Sequence, residues 1–316
     1  MNPGQIKLIL RKVNSKLRRE RVSYVSFREK IINFMKTRKL KYEILDLDKG
    51  TVYKYKRSDT LFILGSGASI NNVPSWQWEM IAKHDSLGFN WFIYHPFIPT
   101  FYYVEYDRSP FFREFQKESI KRRFYDYKNT VFFVHSRAKK RGVHPRFMPD
   151  YFPDTPKCCY YRYPRLIKKH PSQPLTAEDF KKGFQVRGSL NLMLYIAYKM
   201  KYNHIVLMGV DLKHHIYFYD DYSKYPEAKW METYNYNWAD IDTRKKVFYG
   251  GLRLNEKGEI YDPRKNRRTF LEIILAINNF VFKPQGICLY TGSKESLLIN
   301  YLPYYYAFER ENTSVV

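Results

Sequence analysis

A run of four apolar residues, Leu-Phe-Ile-Leu at 61–64, leads directly into Gly65-Ser66-Gly67-Ala68-Ser69. An uninterrupted apolar run of this length, ended by glycine, is typical of a buried parallel strand followed by a tight turn. Such a turn lets backbone N–H groups approach a phosphate or a sugar ring. A glycine-rich turn also serves simply to reverse the chain, so the pattern alone leaves ligand binding and a plain turn open.

Further apolar runs and helical periodicities follow in alternation. We predict strands at residues 86–93, 100–106, 130–135, 205–208 and 287–290, and helices at residues 73–83, 189–201, 267–280 and near 294–301. Residues 136–182 are rich in Pro, Tyr and basic residues, which predicts long loops and short elements rather than regular layers. The alternation predicts an α/β fold: a Rossmann-like, mostly parallel sheet covered on both faces.

The chain divides into four predicted parts. Residues 1–57 read as a basic helical N-terminal extension, with apolar residues at helical spacing from Ile6 to Leu17 among Lys and Arg. A helix of this kind is typical of membrane or nucleic-acid contact, or of packing on the body through its apolar stripe. We expect a Rossmann-like core at residues 58–211, a lid and acceptor region at 212–262, and the remainder of the core with an aromatic tail at 263–316.

Charge and composition limit the classes of partner that we expect the protein to bind. The 316 residues include 55 Lys and Arg against 31 Asp and Glu, a formal net charge of +24, which predicts attraction to nucleic acid, phospholipid or acidic substrates. Abundant aromatics, 30 Tyr and 23 Phe, suit both base or sugar stacking and a membrane interface. Cys158, Cys159 and Cys288 form neither a disulfide framework nor a zinc pattern. With no signal-peptide pattern and no apolar run of about 20 residues, we expect a cytoplasmic protein.

The carboxyl ends of parallel strands form the ligand-binding edge of an open α/β sheet. We therefore expect residues 65–69, Asn90, Asp107 and Asp211 to lie at one edge of the sheet. Dinucleotide folds usually carry an acidic residue at the end of the second strand to hold a ribose, and Asn90 stands there instead. Ordinary NAD binding is therefore disfavoured.

Four motifs taken together resemble a known family. They are GSGAS after the first strand of the core, GFNWF around Asn90, the helix entry Arg187-Gly188-Ser189, and a strand that ends in Gly-Val-Asp at Asp211. The set resembles the bacterial sialyltransferases of glycosyltransferase family 42 and related transferases of CMP-activated nonulosonic and ulosonic acids. The likeness covers roughly residues 61–307, with poor correspondence between 107 and 185.

The resemblance implies a Rossmann-like variant of the GT-A fold and an inverting transfer from a CMP-activated 2-keto acid sugar, without metal or further cofactor. It implies that the donor is bound by Gly65, Ser66, Gly67, Ser69, Asn90, Asp107, Arg187, Gly188, Ser189 and Asp211. Asp107 falls where the family carries a second Asn, which is a departure from the family's pattern.

A lid follows Asp211 in the family, and two of its tyrosines hydrogen-bond the departing phosphate. Here the candidates are Lys213, His214, His215, Tyr217 and Tyr219, with Lys213 at the place of the first tyrosine. The leaving phosphate gains negative charge, so cations or hydroxyl donors must meet it. A solvated loop is the alternative for these residues.

The family uses a histidine as general base, and this chain has none after His215. Alignment of the following helix places Asp262 there, and a carboxylate can take the proton of an acceptor hydroxyl. The alternative is an Asp-Pro turn that only begins a helix. Two Asp-x-Asp sequences, at Asp46 and Asp240, match the spelling of a metal-binding motif but fall outside its expected place, so we predict no metal site.

The leading hypothesis is thus a glycosyltransferase that moves sialic acid or a Kdo-like sugar onto an anionic bacterial surface glycan or glycolipid, as in capsule or lipopolysaccharide synthesis. It would act as a peripheral protein on the inner face of the cytoplasmic membrane, and the resemblance allows a homo-oligomer. Two alternatives remain: a basic nucleic-acid-binding protein, and a degenerate transferase fold that binds glycan without catalysis.

Overall fold

The structure is a computed structural model, and it describes residues 43–104, 110–135, 152, 157–161, 176–181, 189–213, 216–229, 253–254, 260–261 and 269–310. The predicted helix in the N-terminal extension lies outside these residues, as does most of the predicted lid region.

Eight strands form one parallel sheet. They are β1 (Glu43–Asp46), β2 (Thr60–Leu64), β3 (Asp85–Phe89), β4 (Phe101–Val104), β5 (Val131–His135), β6 (Lys157–Tyr161), β7 (His204–Met208) and β10 (Cys288–Thr291). Their order across the sheet is β1-β6-β5-β4-β3-β2-β7-β10, and every neighbouring pair is parallel. Two short strands, β8 (Arg253–Leu254) and β9 (Ile260–Tyr261), pair separately and antiparallel.

The order of the strands creates a reversal beside β2. From β2 the chain proceeds outward through β3, β4, β5 and β6, then crosses back to place β7 on the other side of β2. Leu64 pairs with Gly88 of β3 on one side and with Met208 of β7 on the other. The crevice at the carboxyl ends of β2 and β7 is therefore the topological switch point, where open α/β sheets bind ligands.

Helices cover both faces of the sheet. They are α1 (Ser75–Ala82), α2 (Pro110–Arg123), α3 (Ala177–Lys181), α4 (Leu190–Lys199), α5 (Phe270–Ile277) and α6 (Ala307–Arg310). Alternate residues of β2 enter different cores: Leu61 and Ile63 pack in the cluster with α4 and α5, while Phe62 and Leu64 pack in the cluster with α1 and α2. The predicted α/β fold with a mostly parallel sheet is confirmed.

The chain leaves the second predicted strand earlier than its apolar pattern indicates. The strand expected at residues 86–93 ends at Phe89, and Asn90–Tyr94 form a 3-10 helix. Asn90 has a φ of 54°, in the left-handed region that Asn adopts more readily than most residues. This turn directs Trp91 and Phe92 into the core although they no longer belong to the strand.

Several elements were not anticipated, among them two strands of the sheet and one long helix. β1 lies within the expected helical extension, β6 lies within the stretch expected as loops, and α2 follows β4. β1 and β6 pair with each other at one end of the sheet, so their hydrogen bonding depends on a partner distant in sequence. The boundaries proposed between the four parts of the chain stay a prediction.

The remaining elements follow the predicted order with shorter bounds. α5 begins with a capping box in which Thr269 and Glu272 each bond the other's backbone N–H, and it continues as a π-helix over Asn278–Phe282. The helix expected near residues 294–301 is a 3-10 helix at Leu297–Asn300. Among the described residues, no helix combines the length and apolar character needed to cross a bilayer.

Candidate functional site

The turns that follow β2 and β7 are hydrogen-bonded to each other at the switch point. The Gly65 N–H donates to the carbonyl of Met208 at 2.8 Å, and the Gly67 N–H donates to the carbonyl of Gly209 at 2.8 Å. These bonds extend the pairing of the two strands beyond their ends. The motifs GSGAS and GVD, more than a hundred residues apart in sequence, therefore form one structural unit.

Asp211 fixes the turn through Ser69. One carboxylate oxygen of Asp211 accepts the Ser69 N–H at 3.0 Å, and the other accepts the Ser69 hydroxyl in a short hydrogen bond. Asp211 is only 4% exposed. The sequence predicted Asp211 among the donor-binding residues, and the structure gives its carboxylate a contact inside the protein that holds the turn.

Close packing explains the glycines of this turn. A Cβ on Gly65 would lie 2.5 Å from the carbonyl oxygen of Gly209, and one on Gly67 would lie 2.4 Å from a carboxylate oxygen of Asp211. Any larger residue at either position would separate the two turns. The requirement for glycine thus comes first from the packing of the β2 turn on the β7 turn, whatever the turn binds.

Ser66 carries a buried hydroxyl that the described residues leave without a hydrogen-bond partner. A buried polar group without a partner costs about 1–3 kcal/mol, and such groups concentrate where water or a ligand completes the bonding. The hydroxyl belongs to the turn that the sequence assigns to the donor. It is therefore a candidate donor for a ligand oxygen.

Asn90 lies at the same sheet edge as the turn. It stands two residues beyond Gly88, which pairs with Leu64 of β2. Its carbonyl accepts the Tyr102 hydroxyl at 2.5 Å, and its side chain is half-exposed. Tyr102 thus holds the backbone of this left-handed turn, and the side-chain amide of Asn90 remains at the edge of the sheet.

Arg123, at the end of α2, holds the segment that follows Asn90. Its guanidinium donates to the carbonyls of Ile93 and His95, and it lies over the ring of Tyr127. No sequence motif indicated Arg123, because the contact joins two elements that are distant in the chain. The residue positions the Asn90 segment from behind the site.

The third predicted component of this edge, Ser189, lies at the start of α4. α4 precedes β7 and packs in the same core cluster as β2, so its first turn reaches the carboxyl edge of the sheet. Ser189 is buried. The amino end of a helix carries a partial positive charge, which favours an anionic group such as a sugar carboxylate.

The segment after β7 folds back onto the β2 turn. Tyr217 forms an isolated antiparallel bridge with Gly67, and the Phe218 N–H donates to the carbonyl of Ser66 at 3.1 Å. The Asn71 amide donates to the carbonyl of Phe218 at 2.9 Å and accepts the Tyr225 hydroxyl at 2.9 Å. Asn71, which the sequence did not single out, therefore ties the beginning of the predicted lid to the candidate site.

The phosphate-binding candidates in this segment differ in exposure. Lys213 is exposed and follows Leu212, whose φ is 57°. The rings of Tyr217 and Tyr219 stack with centroids 5.1 Å apart, but Tyr219 is 4% exposed and packs edge-on against Tyr94. Lys213 and Tyr217 are thus more accessible to a ligand than Tyr219.

His95 lies beneath the same segment as a neutral group. Its ring contacts Trp78, Phe92, Phe218 and Tyr225. Burial, and to a lesser extent the charge of Arg123, lowers the pKa of His95 to about 4. The imidazole therefore contributes packing and not charge at neutral pH.

A third loop supports the switch point from the β10 side. The Ser296 hydroxyl donates to the carbonyl of Val210 at 2.6 Å, and the Leu297 N–H donates to the carbonyl of Asp211 at 2.8 Å. Asn72 donates to the Glu295 carboxylate at 2.8 Å. The loops that follow β2, β7 and β10 are thus bonded to one another at the candidate site.

Several predicted site residues lie outside the described part of the chain: Asp107, Arg187, Gly188, His214, His215 and Asp262. Within the described part, no group of three or more His, Cys, Asp or Glu side chains has an arrangement that suits a metal ion. Asp46 bonds the Lys49 N–H, and Asp48 pairs with Lys199 at 2.8 Å. The Asp-x-Asp sequence at Asp46 is at the end of β1, far across the sheet from β2.

No family model matches this chain, and no curated protein matches it. Among solved structures, it is similar to the sialyltransferase CST-II, as a substitution variant in complex with CMP, with 18% sequence identity and a TM-score of 0.43 over 78% of this chain and 86% of that chain. It is also similar to CstII from Campylobacter jejuni in complex with the substrate analogue CMP-3FNeuAc, with 17% identity and a TM-score of 0.41 over 78% and 85% of the two chains.

Proposed function

We propose that this protein is a glycosyltransferase that moves a CMP-activated 2-keto acid sugar, sialic acid or Kdo-like, onto a bacterial surface glycan or glycolipid. The transfer inverts the anomeric carbon and uses no metal. The observation that carries the proposal is the pairing of the GSGAS and GVD turns at the switch point, with Asn90 at the adjacent strand end. The motif set recognised in the sequence is thereby concentrated at the edge where α/β folds bind nucleotides.

The donor would lie across the β2 turn with its phosphate toward the segment after β7. The buried Ser66 hydroxyl and the Tyr217 bridge to Gly67 supply polar groups next to that turn. Lys213 supplies a positive charge close by in sequence, and His214 and His215 extend this set. Donors placed where the CMP phosphate gains charge would lower the barrier to its departure.

The acceptor hydroxyl needs a base, and we propose Asp262 for this role. It would take the proton as the oxygen attacks the anomeric carbon, and CMP would leave from the opposite face. The acceptor is proposed to be anionic, since the protein carries a net charge of +24.

A thermal-unfolding series with CMP, UDP, GDP and S-adenosylmethionine tests the donor. A ligand present at 100 times its Kd stabilises the folded state by about 2.7 kcal/mol, so CMP should raise the Tm and the others should not. Asn90→Gly is the matched variant, because glycine accepts the left-handed φ without strain while the amide is removed. We expect it to weaken CMP binding by about tenfold. Stabilisation by another nucleotide and none by CMP would exclude the proposed donor.

Asp262→Asn separates binding from catalysis. We expect transfer from a CMP-sugar donor to an oligosaccharide acceptor to be lost, while the rise in Tm with CMP is retained. Full turnover by the variant would exclude Asp262 as the base. CMP binding by the wild-type protein without turnover of any such donor would instead indicate a degenerate transferase.

A further inference from the structure

Five lysines lie at the starts of five parallel strands. Lys54, Lys83, Lys128 and Lys201 each stand a few residues before β2, β3, β5 and β7, and Lys157 is the first residue of β6. Because these strands are parallel, the five lysines share the amino edge of the sheet, opposite the candidate site. We call this face the strand-entry surface. It spans five strand intervals, about 24 Å at the usual spacing of about 4.8 Å.

Among the described residues, three acidic side chains of the strand-entry surface are engaged with other cations, and a fourth acidic residue, Glu43, is the register partner of Lys157 in the β1–β6 pair. Asp59 pairs with Lys56 at 2.8 Å, and the buried Asp85 pairs with Arg57 at 3.2 Å. Asp126 pairs with Arg123 at 3.2 Å. Together with Lys56, Arg57 and Arg123, the five lysines outnumber these four acidic residues, so the described part of this edge carries a net positive charge. At the carboxyl edge the described charges balance: five acidic residues (Asp46, Asp211, Asp220, Asp221 and Glu295) stand against five lysines (Lys49, Lys213, Lys224, Lys229 and Lys294).

Helix dipoles explain only part of this arrangement. Lys83 and Lys201 follow the ends of α1 and α4, where a cation is favourable. Lys54 and Lys157 have a different setting, since both ammonium groups approach the ring of Tyr55, each 5.2 Å from its centroid. Two ammonium groups are thus held at one aromatic ring by cation–π contacts and not by a helix end.

The aromatic residues of this surface argue against nucleic acid as the partner. Tyr127 and Tyr202 are 1% and 0% exposed, and the ring of Tyr53 has Lys201 over it. Stacking of unpaired bases needs exposed ring faces. Tyr125, which is 71% exposed, is instead a single ring of the amphipathic kind found where proteins meet lipid headgroups.

We propose that the strand-entry surface docks the protein on an anionic phospholipid bilayer, with the candidate site directed away from the lipid. This orientation follows from the opposite positions of the lysines and of the β2 and β7 turns on one sheet. It is independent of the sugar, and it implies that the glycan part of the acceptor extends through the aqueous phase to reach the site.

Lysine acetylation of the wild-type protein, with and without vesicles that contain phosphatidylglycerol, tests the orientation. We expect acetylation of Lys54, Lys128, Lys157 and Lys201 to slow several-fold on the vesicles. Three exposed lysines of the opposite side, Lys224, Lys229 and Lys294, provide the internal control and should react at an unchanged rate. Protection of this second group instead of the first would overturn the proposed orientation.

Partitioning of the protein into the same vesicles tests whether the charges of the strand-entry lysines drive membrane binding. The triple variant Lys54→Gln, Lys157→Gln, Lys201→Gln should lose on the order of 100-fold in partition coefficient, since each such lysine contributes about fivefold. Its control, with Lys224, Lys229 and Lys294 replaced by Gln, removes equal charge and should change partitioning by about threefold at most, because charges beyond about 10 Å are screened.

Equal losses in the two triple variants would show a nonspecific effect of net charge and overturn the proposal. Protection of the strand-entry lysines by a short RNA at physiological salt, with no protection by anionic vesicles, would overturn it in favour of nucleic acid. A Tm measured for each variant separates lost docking from lost folding.

Discussion

At the residue scale, Gly67 is the position of the candidate site that tolerates least change. An alanine Cβ would meet the Asp211 carboxylate and the Gly209 carbonyl at 2.4 and 2.8 Å. We predict that Gly67→Ala abolishes CMP binding in a titration and lowers the free energy of unfolding by about 2–3 kcal/mol, since the turn must move off Asp211.

Gly286→Ala is the matched control for that variant. Gly286 has a φ of 71°, but nothing lies within 4 Å of an added Cβ. The substitution should cost about 1 kcal/mol of backbone strain and leave the nucleotide affinity unchanged. If Gly67→Ala bound CMP normally, the paired turns would not be the binding site.

His95 makes stability depend on pH. In the unfolded chain its pKa is near the usual 6.5, and in the folded protein burial lowers the pKa to about 4. Between these values the unfolded chain takes up a proton that the folded protein excludes. Stability is therefore complete above pH 6.5 and falls as the pH drops toward 4, by up to about 3 kcal/mol from this residue.

Urea unfolding at a series of pH values measures this effect. We expect His95→Phe to flatten the curve between about pH 6.5 and 4, because phenylalanine keeps the contacts with Trp78 and Phe218 and cannot be protonated. An equally steep fall in the variant would show that other groups dominate acid unfolding. The loss of the Phe97 N–H bond to His95 lowers stability at every pH and does not change the slope.

At the scale of elements, the end of α2 and the start of β3 each stabilise the fold, but only the end of α2 contacts the Asn90 segment of the candidate site. Arg123 on α2 holds the carbonyls behind Asn90, whereas Asp85 on β3 accepts the N–H of Arg57 at 2.8 Å and the hydroxyl of Tyr202 at 2.9 Å on the opposite edge. Both are polar anchors whose removal leaves buried partners unsatisfied, at a cost of about 2–4 kcal/mol.

The two anchors should differ in their effect on the site. We predict that Arg123→Met lowers both the stability and the CMP affinity, the latter by about tenfold, because the Asn90 segment is released. Asp85→Asn should lower the stability by a similar amount and leave the affinity of the folded protein unchanged. Equal affinities in the two variants would contradict a positioning role for Arg123, and Arg123→Lys should restore part of the binding.

At the scale of the whole molecule, one sheet joins two cores. Ile63 and Phe62 are adjacent on β2 and project into opposite clusters, and both are 0% exposed. We predict that Ile63→Ala and Phe62→Ala each destabilise the protein by about 3–4 kcal/mol and that both faces unfold in one transition.

Two probes can distinguish one transition from two. Trp76, Trp78 and Trp91 lie in or against the Phe62 cluster, so fluorescence reports on that face once Trp230 and Trp238 are replaced by Phe in all proteins compared, while far-ultraviolet circular dichroism reports on all elements. The two curves should coincide in both variants. Fluorescence that is unaffected by Ile63→Ala, with a shifted dichroism curve, would mean that the faces unfold separately.

The sequence by itself determined the α/β class, the position of β2 and its glycine turn, and the strand order along the chain from β2 to β5, because these depend on local apolar periodicity and on glycine. It also singled out Ser69 and Asp211, since strand ends can be read from where an apolar run stops, and Asn90 through the motif that resembles the family. The sequence did not predict β1 and β6, because each is stabilised by pairing with the other across a long separation in sequence.

Only the tertiary structure decided what those residues contact. The β2 and β7 turns meet because a crossover places the two strands side by side, and this juxtaposition directs the Asp211 carboxylate to Ser69. Arg123 and Asn71 acquire their roles in the same way, through partners that no local pattern specifies. The gathering of five lysines on one edge also depends on the strands being parallel, a property of the assembled sheet and not of any one segment.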